Sequence, residues 1–175
     1  NFASVKWLKE SIWPLIRKSL PEASLYIYGA YLPDHLKSWH NPTEGFYLMG
    51  RAEDALSVVK KARVFLAPLT FGAGQKGKLL DAMLTATPSV TTSIGAESMH
   101  PHLDWNGIVV NSAEEIGKAA VKLYTDEILW QKSSAQSTIL LQRVFNRQLY
   151  ENAFMQKVYN LLDTIQEHRT RNFTG

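Results

Sequence analysis

The stretch from Val64 to Thr92 constrains the fold more than any other part of the chain. Val64-Phe65-Leu66-Ala67 is an apolar run of strand length without polar alternation. Leu79, Leu80, Met83 and Leu84 fall at the three- and four-residue spacing of one helix face. Ser89-Val90-Thr91-Thr92 is a second strand-like run, rich in β-branched residues. Between the first strand and the helix lie Gly72, Gly74 and Gly77 together with Lys76 and Lys78. A glycine loop running from a strand into a helix gathers backbone N–H groups at a positive helix end, which suits a phosphate. The carboxylate of Asp81 stands one helical turn inside.

The same alternation runs through the chain. Residues 3–20 predict a helix with a kink or restart at Pro14. Leu25–Tyr28 and Phe46–Met49 read as strands, each followed by glycine. Residues 30–43 predict a helical turn plus loop, and residues 52–61 a short helix. The strand Val64–Leu69 and the helix Lys76–Ala86 flank the glycine loop. After Ser89–Thr92 comes a second glycine-containing loop, residues 93–98, and then a strand, Gly107–Val110. A capping box of Ser112 and Glu115 opens a helix over 112–125. Helices are expected at 127–142 and 147–168, the last with an apolar face of Tyr150, Phe154, Val158, Leu161 and Ile165. Nearly uninterrupted apolar strands alternating with helices indicate an α/β fold: a doubly wound, mostly parallel, Rossmann-like sheet with helices on both faces. Ligands of such sheets bind beyond the carboxyl ends of the strands, where both glycine loops lie on consecutive βα units.

Composition narrows the function classes. The 175 residues fit a single domain, 45% hydrophobic and 20% charged. With no cysteine, disulfides and thiolate metal sites are excluded, and a reducing compartment is expected. No apolar run reaches the roughly 18 residues of a membrane span, and no signal peptide is visible. The opening residue Asn1 is not Met, so an earlier native start is expected. The net charge of +3 fits an anionic ligand or membrane face. Its basic residues are scattered, without the stripe that nucleic acid requires.

The glycine stretch is not a P-loop, because Gly77-Lys78 is followed by Leu79 and not Ser or Thr. Gly72, Gly74 and Gly77 show G-x-G-x-x-G spacing, but after the third visible strand, whereas the dinucleotide fingerprint belongs to the first βα turn. The residues alone leave two readings open: a phosphate cradle, or a tight turn with its lysines in solvent. His100-Pro101-His102 lacks a third ligand at metal spacing. His35 and His40 read as solvated loop residues. Trp7, Trp13, Trp39 and Trp130 read as packing residues, and Trp105-Asn106-Gly107 as a turn before a strand. No nucleophile elbow or triad order stands out.

Several ordered segments together resemble the C-terminal half of GT-B-fold glycosyltransferases of the group 1 type. They are Val5-Lys6-Trp7-Leu8, Pro14, Pro21-Glu22-Ala23, Ile27-Tyr28-Gly29 and Ala62-Arg63-Val64. Then follow Ala67-Pro68-Leu69, Gly72 to Lys78, Asp81-Ala82-Met83, Pro88 to Thr92 and Ile94-Gly95-Ala96-Glu97. The likeness covers about residues 1–125 and is strongest over 62–98.

The resemblance implies a nucleotide-sugar donor site in a transferase of the hexosyl type, retaining in most of the group. Gly72, Gly74, Lys76 and Lys78 would hold the diphosphate, and Asp81 the ribose hydroxyls. Gly95, Ala96 and Glu97 would bring a second set of backbone donors to the donor sugar or phosphate. No metal and no cofactor are expected, since the nucleotide-sugar is a substrate. The acceptor, a growing glycan or lipid carrier, would bind an N-terminal half. The resemblance further implies a preceding strand with a glycine turn ahead of Asn1. The chain is therefore expected to be part of a longer protein, inactive alone, with residues 147–168 as a helix bracing the other half. Such a protein is expected in the cytoplasm, at the inner face of a membrane, in polysaccharide biosynthesis. The sequence departs from the family pattern at Thr70 (often Arg), Ala73 (often Glu), Asp81 (usually Glu), Ala86 and Ser98 (usually Gly). Of these, Thr70, Ala73 and Asp81 support the alternative of a non-catalytic α/β nucleotide-binding or interaction module.

Overall fold

The computed structural model describes residues 2–31, 33–100 and 102–173, so Asn1 and Pro101 lie outside the described residues, as does the side chain of His35. The first helical stretch comprises α1 (Phe2–Trp7), a wider π-helical segment (Leu8–Ile12) and α2 (Trp13–Ser19). Pro14 has no N–H and its ring crowds the carbonyl four residues back. The wider turn just before it, with the Trp13 amide bonded to the Leu8 carbonyl, accommodates this, and the helix continues to Ser19.

Five strands follow among the described residues: β1 (Leu25–Tyr28), β2 (Phe46–Gly50), β3 (Phe65–Ala67), β4 (Ser89–Thr91) and β5 (Gly107–Val109). Every ladder is parallel. β1 pairs with β2, and β3–β4–β5 form a second ladder in that order, with Leu66 opposite Val90 and Val90 opposite Ile108. The expected strand Val64–Leu69 is shorter because Pro68 cannot donate and the Leu69 amide turns back to the Ala67 carbonyl at 2.9 Å. The remaining helices are α3 (Ala55–Lys61), α4 (Gly77–Leu84), α5 (Ser93–Ala96), α6 (Ala113–Thr125), α7 (Glu127–Arg143) and α8 (Arg147–Phe173). Residues 30–43 hold the 3-10 helix Asp34–Trp39, and a second one spans Pro42–Glu44.

Strand side chains alternate between two cores, as a pleated backbone requires. On one face Leu8, Ile12, Trp13 and Ile16 meet Ile116, Ala119, Ala120 and Leu123 of α6, with Leu25, Ile27, Leu66 and Val90 of the strands. This cluster joins both ladders. On the other face Ala67 packs with Leu79 and Met83 of α4, Ala96, Met99, Trp105, and Leu140 of α7. Helices therefore cover both sides of the parallel strands, and the α/β doubly wound reading holds.

Trp105 is more than a turn residue. Its ring is buried, its Nε1 donates to Ser89 Oγ at 2.9 Å, and Asn106 beside it is fully buried. The Asn106 amide reaches the Thr87 carbonyl and Ser137 Oγ, both at 3.3 Å, and its oxygen accepts from Ser89 Oγ at 3.2 Å. This satisfied polar cluster fastens β4 to α7 within an apolar layer. At Gly107 a Cβ would lie 1.9 Å from the Ser89 carbonyl oxygen, so only glycine allows the approach. Helix α8 differs from the others: Tyr150, Phe154, Leu161 and Ile165 of its apolar face remain exposed, and Val158 is only half-buried.

The capping box at α6 is present in both halves, with Ser112 Oγ accepting from the Glu115 amide at 3.2 Å and the Glu115 carboxylate accepting from the Ser112 amide at 3.1 Å. Hydrogen bonds from Ser112 hydroxyl, then from the Ser112 and Asn111 amides, hold the Glu115 carboxyl below its ordinary value. A depressed carboxyl stabilises the fold above its unfolded value, and that contribution fades as pH falls through the folded one. Ser112→Ala is therefore expected to lower the urea midpoint at neutral pH and to shrink the loss seen on acidification to about pH 3; equal acid sensitivity in both proteins would refute this.

Candidate functional site

The site is built on the carboxyl ends of β3, β4 and β5. Two threonines at the end of β4 tie these ends together. Thr91 Oγ1 donates to the Ala67 carbonyl at 2.7 Å, and Thr92 Oγ1 to the Leu69 carbonyl at 2.6 Å. Thr92 Oγ1 also accepts from the Gly95 amide at 3.2 Å, capping α5. Asn111, just past β5, accepts from both the amide and the hydroxyl of Ser93 at 2.9 Å. The loop from Leu69 to Lys76 thus leaves a fixed platform.

Gly72 and Gly74 adopt φ of +143° and +66°, a region in which a side chain is strained. Among the described residues, the amides from Gly72 to Lys78 have no acceptor within the chain. Those at the start of α4 are the orphan donors of any helix N-terminus, and Lys76, its N-cap, supplies no side-chain cap. The loop residues 71–75 are exposed, while Lys76 is buried.

Lys76 lies under the loop. Its Nζ donates to the Gly74 carbonyl at 2.6 Å and stands 3.9 Å from the Glu97 carboxylate of the neighbouring βα unit. The two loops that the sequence places side by side therefore meet through Lys76 and Glu97. Lys78 behaves differently: it is 77% exposed and pairs with Asp81 at 3.4 Å. An exposed pair of this kind contributes about 0–1 kcal/mol. Asp81, one turn inside α4, is 25% exposed.

The expectation for Gly95, Ala96 and Glu97 needs correction. Residues 93–98 are not an open loop, since Ser93–Ala96 forms α5. The Gly95 amide bonds Thr92 Oγ1 at 3.2 Å, the Ala96 amide the Thr92 carbonyl at 3.0 Å, and the Glu97 amide the Ser93 carbonyl at 2.9 Å. None of the three is left to donate to a ligand. Gly95 is needed for packing, because a Cβ there would lie 2.0 Å from Thr91 Oγ1. What this unit offers the site is the Glu97 carboxylate.

The remaining candidates are structural. His40 Nδ1 accepts from the Leu48 amide at 3.2 Å, and its ring meets Tyr47 edge-on, so it is not merely solvated. His100 Nδ1 bonds the Leu103 carbonyl at 2.8 Å and its ring packs on Trp105. Among the described residues no group of three or more His, Asp or Glu side chains could hold a metal ion. A groove of about 570 Å³ between α2 and α6, lined by Leu15, Lys18, Lys118 and Lys122, shares no residue with the glycine loop. The sequence reads Thr91 and Thr92 only as strand residues and gives no role to Asn111; hydroxyls at and just past the last position of a buried parallel strand are the signal for the two threonines.

Residues 1–126 match the sequence profile of the family described as glycosyl transferases group 1, and the chain belongs to that family. No curated protein matches the chain significantly. Solved structures share the fold, among them the following three. The pneumococcal O-GlcNAc transferase GtfA, in complex with UDP and GlcNAc, is 19% identical with a TM-score of 0.69, over 90% of this chain and 33% of that one. The S. aureus TarM G117R mutant, in complex with Fondaparinux, alpha-GlcNAc-glycerol and UDP, is 15% identical with a TM-score of 0.73, over 90% and 32%. WaaG, a glycosyltransferase involved in lipopolysaccharide biosynthesis, is 17% identical with a TM-score of 0.60, over 79% and 39%. The chain thus spans about a third of the length of the first two. These likenesses place it in the GT-B class of parallel α/β folds.

The Thr92 hydroxyl serves both loops, so its loss orphans a carbonyl and an amide at once. Thr92→Val is expected to destabilise the protein by about 1–3 kcal/mol in urea unfolding, whereas Lys78→Ala is expected to stay within about 0.5 kcal/mol. Equal effects of the two would contradict the clamp.

Proposed function

We propose that this chain is the donor-binding half of a glycosyltransferase that moves a sugar from a nucleotide-sugar to an acceptor. What carries this reading is a row of amides, Gly72 to Lys78, unpaired among the described residues, above a buried ammonium, Lys76, at the carboxyl end of a parallel strand. Free N–H groups beside a cation in one exposed loop suit the two phosphates of a nucleoside diphosphate. The same charges stabilise the leaving nucleoside diphosphate as the glycosidic bond breaks, when negative charge develops on it. In this reading Asp81, one turn inside α4 and paired with Lys78, accepts from the ribose hydroxyls. Neither a metal nor a cofactor enters this chemistry.

The acceptor, a glycan or lipid-linked carrier, meets the donor sugar from an N-terminal half, so this chain alone does not catalyse transfer. The two GT-B relatives bound to UDP support a uridine nucleotide as the first donor class to test. The exposed apolar face of α8 suits a helix that braces the other half, and the working location is the inner face of a membrane. Retention of anomeric configuration follows the group. Ala73 and Thr70, which replace the usual Glu and Arg, favour a second reading: a nucleotide-binding module without transfer.

Isothermal titration with UDP, GDP and ADP tests the first reading. Micromolar binding of one of them is expected, weakened at least about tenfold by Lys76→Ala, as loss of a charge-assisted hydrogen bond implies. No binding of any of the three by the protein would refute it. Binding without transfer by the full-length protein would favour the second reading.

A further inference from the structure

We infer that Glu97 is the resident counter-ion of Lys76 and competes with a ligand phosphate for it, so that an anion must displace the carboxylate to bind. The inference rests on the donor-site reading above and assigns the Glu97 side chain a role that reading leaves open.

Lys76 is a buried ammonium, and burial of a charge is costly unless partners replace water. An ammonium has three N–H donors and no acceptor. Lys76 has one close partner, the Gly74 carbonyl at 2.6 Å. The Glu97 carboxylate, at 3.9 Å, is near enough to neutralise the charge but too far for a good hydrogen bond. The cation is thus compensated and not saturated.

The two partners differ in freedom. Lys76 is fixed by the loop it lies under, its side chain 8% exposed. The backbone of Glu97 is fixed, since its amide bonds the Ser93 carbonyl, but its carboxylate is on the solvent side, 62% exposed. It can leave Lys76 and be solvated at little cost, whereas Lys76 cannot follow. A diphosphate brings several oxygens and can accept both from Lys76 and from the free amides of Gly72 to Lys78. It replaces what Glu97 supplies and adds more. A ligand with a single weak negative charge gains too little to evict the carboxylate. Glu97 thus sets a threshold of charge and denticity for entry to the loop.

Titrations of the protein with UDP and with inorganic pyrophosphate, a probe independent of the base, test the inference. Glu97→Gln is expected to tighten binding of both about three- to tenfold while leaving the unliganded melting midpoint unchanged or lowered. Glu151→Gln on α8 makes the same change in net charge at a distant exposed pair with Arg147, and is expected to leave both affinities unchanged. A wild-type protein that binds, with Glu97→Gln binding no more tightly, overturns the inference and leaves the donor-site reading standing. So does an equal gain in Glu151→Gln, which would mark a general charge effect. Wild type and variants that bind neither probe overturn both together.

Discussion

Two hydroxyl groups at the end of β4 hold the site in place. Thr91 and Thr92 donate to carbonyls at and beyond the end of β3, so the neighbouring strand ends cannot part without leaving buried oxygens unpaired. Thr92 then begins α5 by capping it. The same residue therefore fixes where the glycine loop starts and where Glu97 emerges. Because the strands are parallel, these ends lie on one edge of the ladder, and loops from successive βα units meet there. The contact between Lys76 and Glu97 is the outcome of that geometry.

Much of this is written in local sequence. Uninterrupted apolar runs separated by helical periodicity specify parallel strands with helices on both faces. The capping box at Ser112 and Glu115, and the strand ends at Gly29 and Gly50, depend on short-range chemistry and were legible. So was the glycine loop, since Gly72 and Gly74 need backbone angles that other residues resist.

Other features depend on partners far along the chain and left little local trace. The amides of Gly95, Ala96 and Glu97 resemble free donors in a glycine loop until Thr92 is seen to cap them. Trp105 and Asn106 read as a turn, yet Ser89, Thr87 and Ser137 draw them into the core. Pro14 predicts a kink or restart, and a π-helical segment directly before α2 accommodates it while the helix continues to Ser19. The two lysines look equivalent in sequence. Burial distinguishes them, leaving Lys76 beneath the loop and Lys78 in solvent beside Asp81. The apolar face of α8 was legible, and its exposure shows that periodicity identifies a face without naming what covers it.

The central claim is that the orphan amides of the glycine loop, together with Lys76, form the anion cradle. Backbone amide spectra recorded during titration with UDP address it residue by residue. The account predicts that the largest shifts fall on Gly72, Ala73, Gly74, Gln75, Lys76, Gly77 and Lys78, with Glu97 moving as its carboxylate is released. Saturating shifts confined to other parts of the chain, with these amides unmoved, would contradict it.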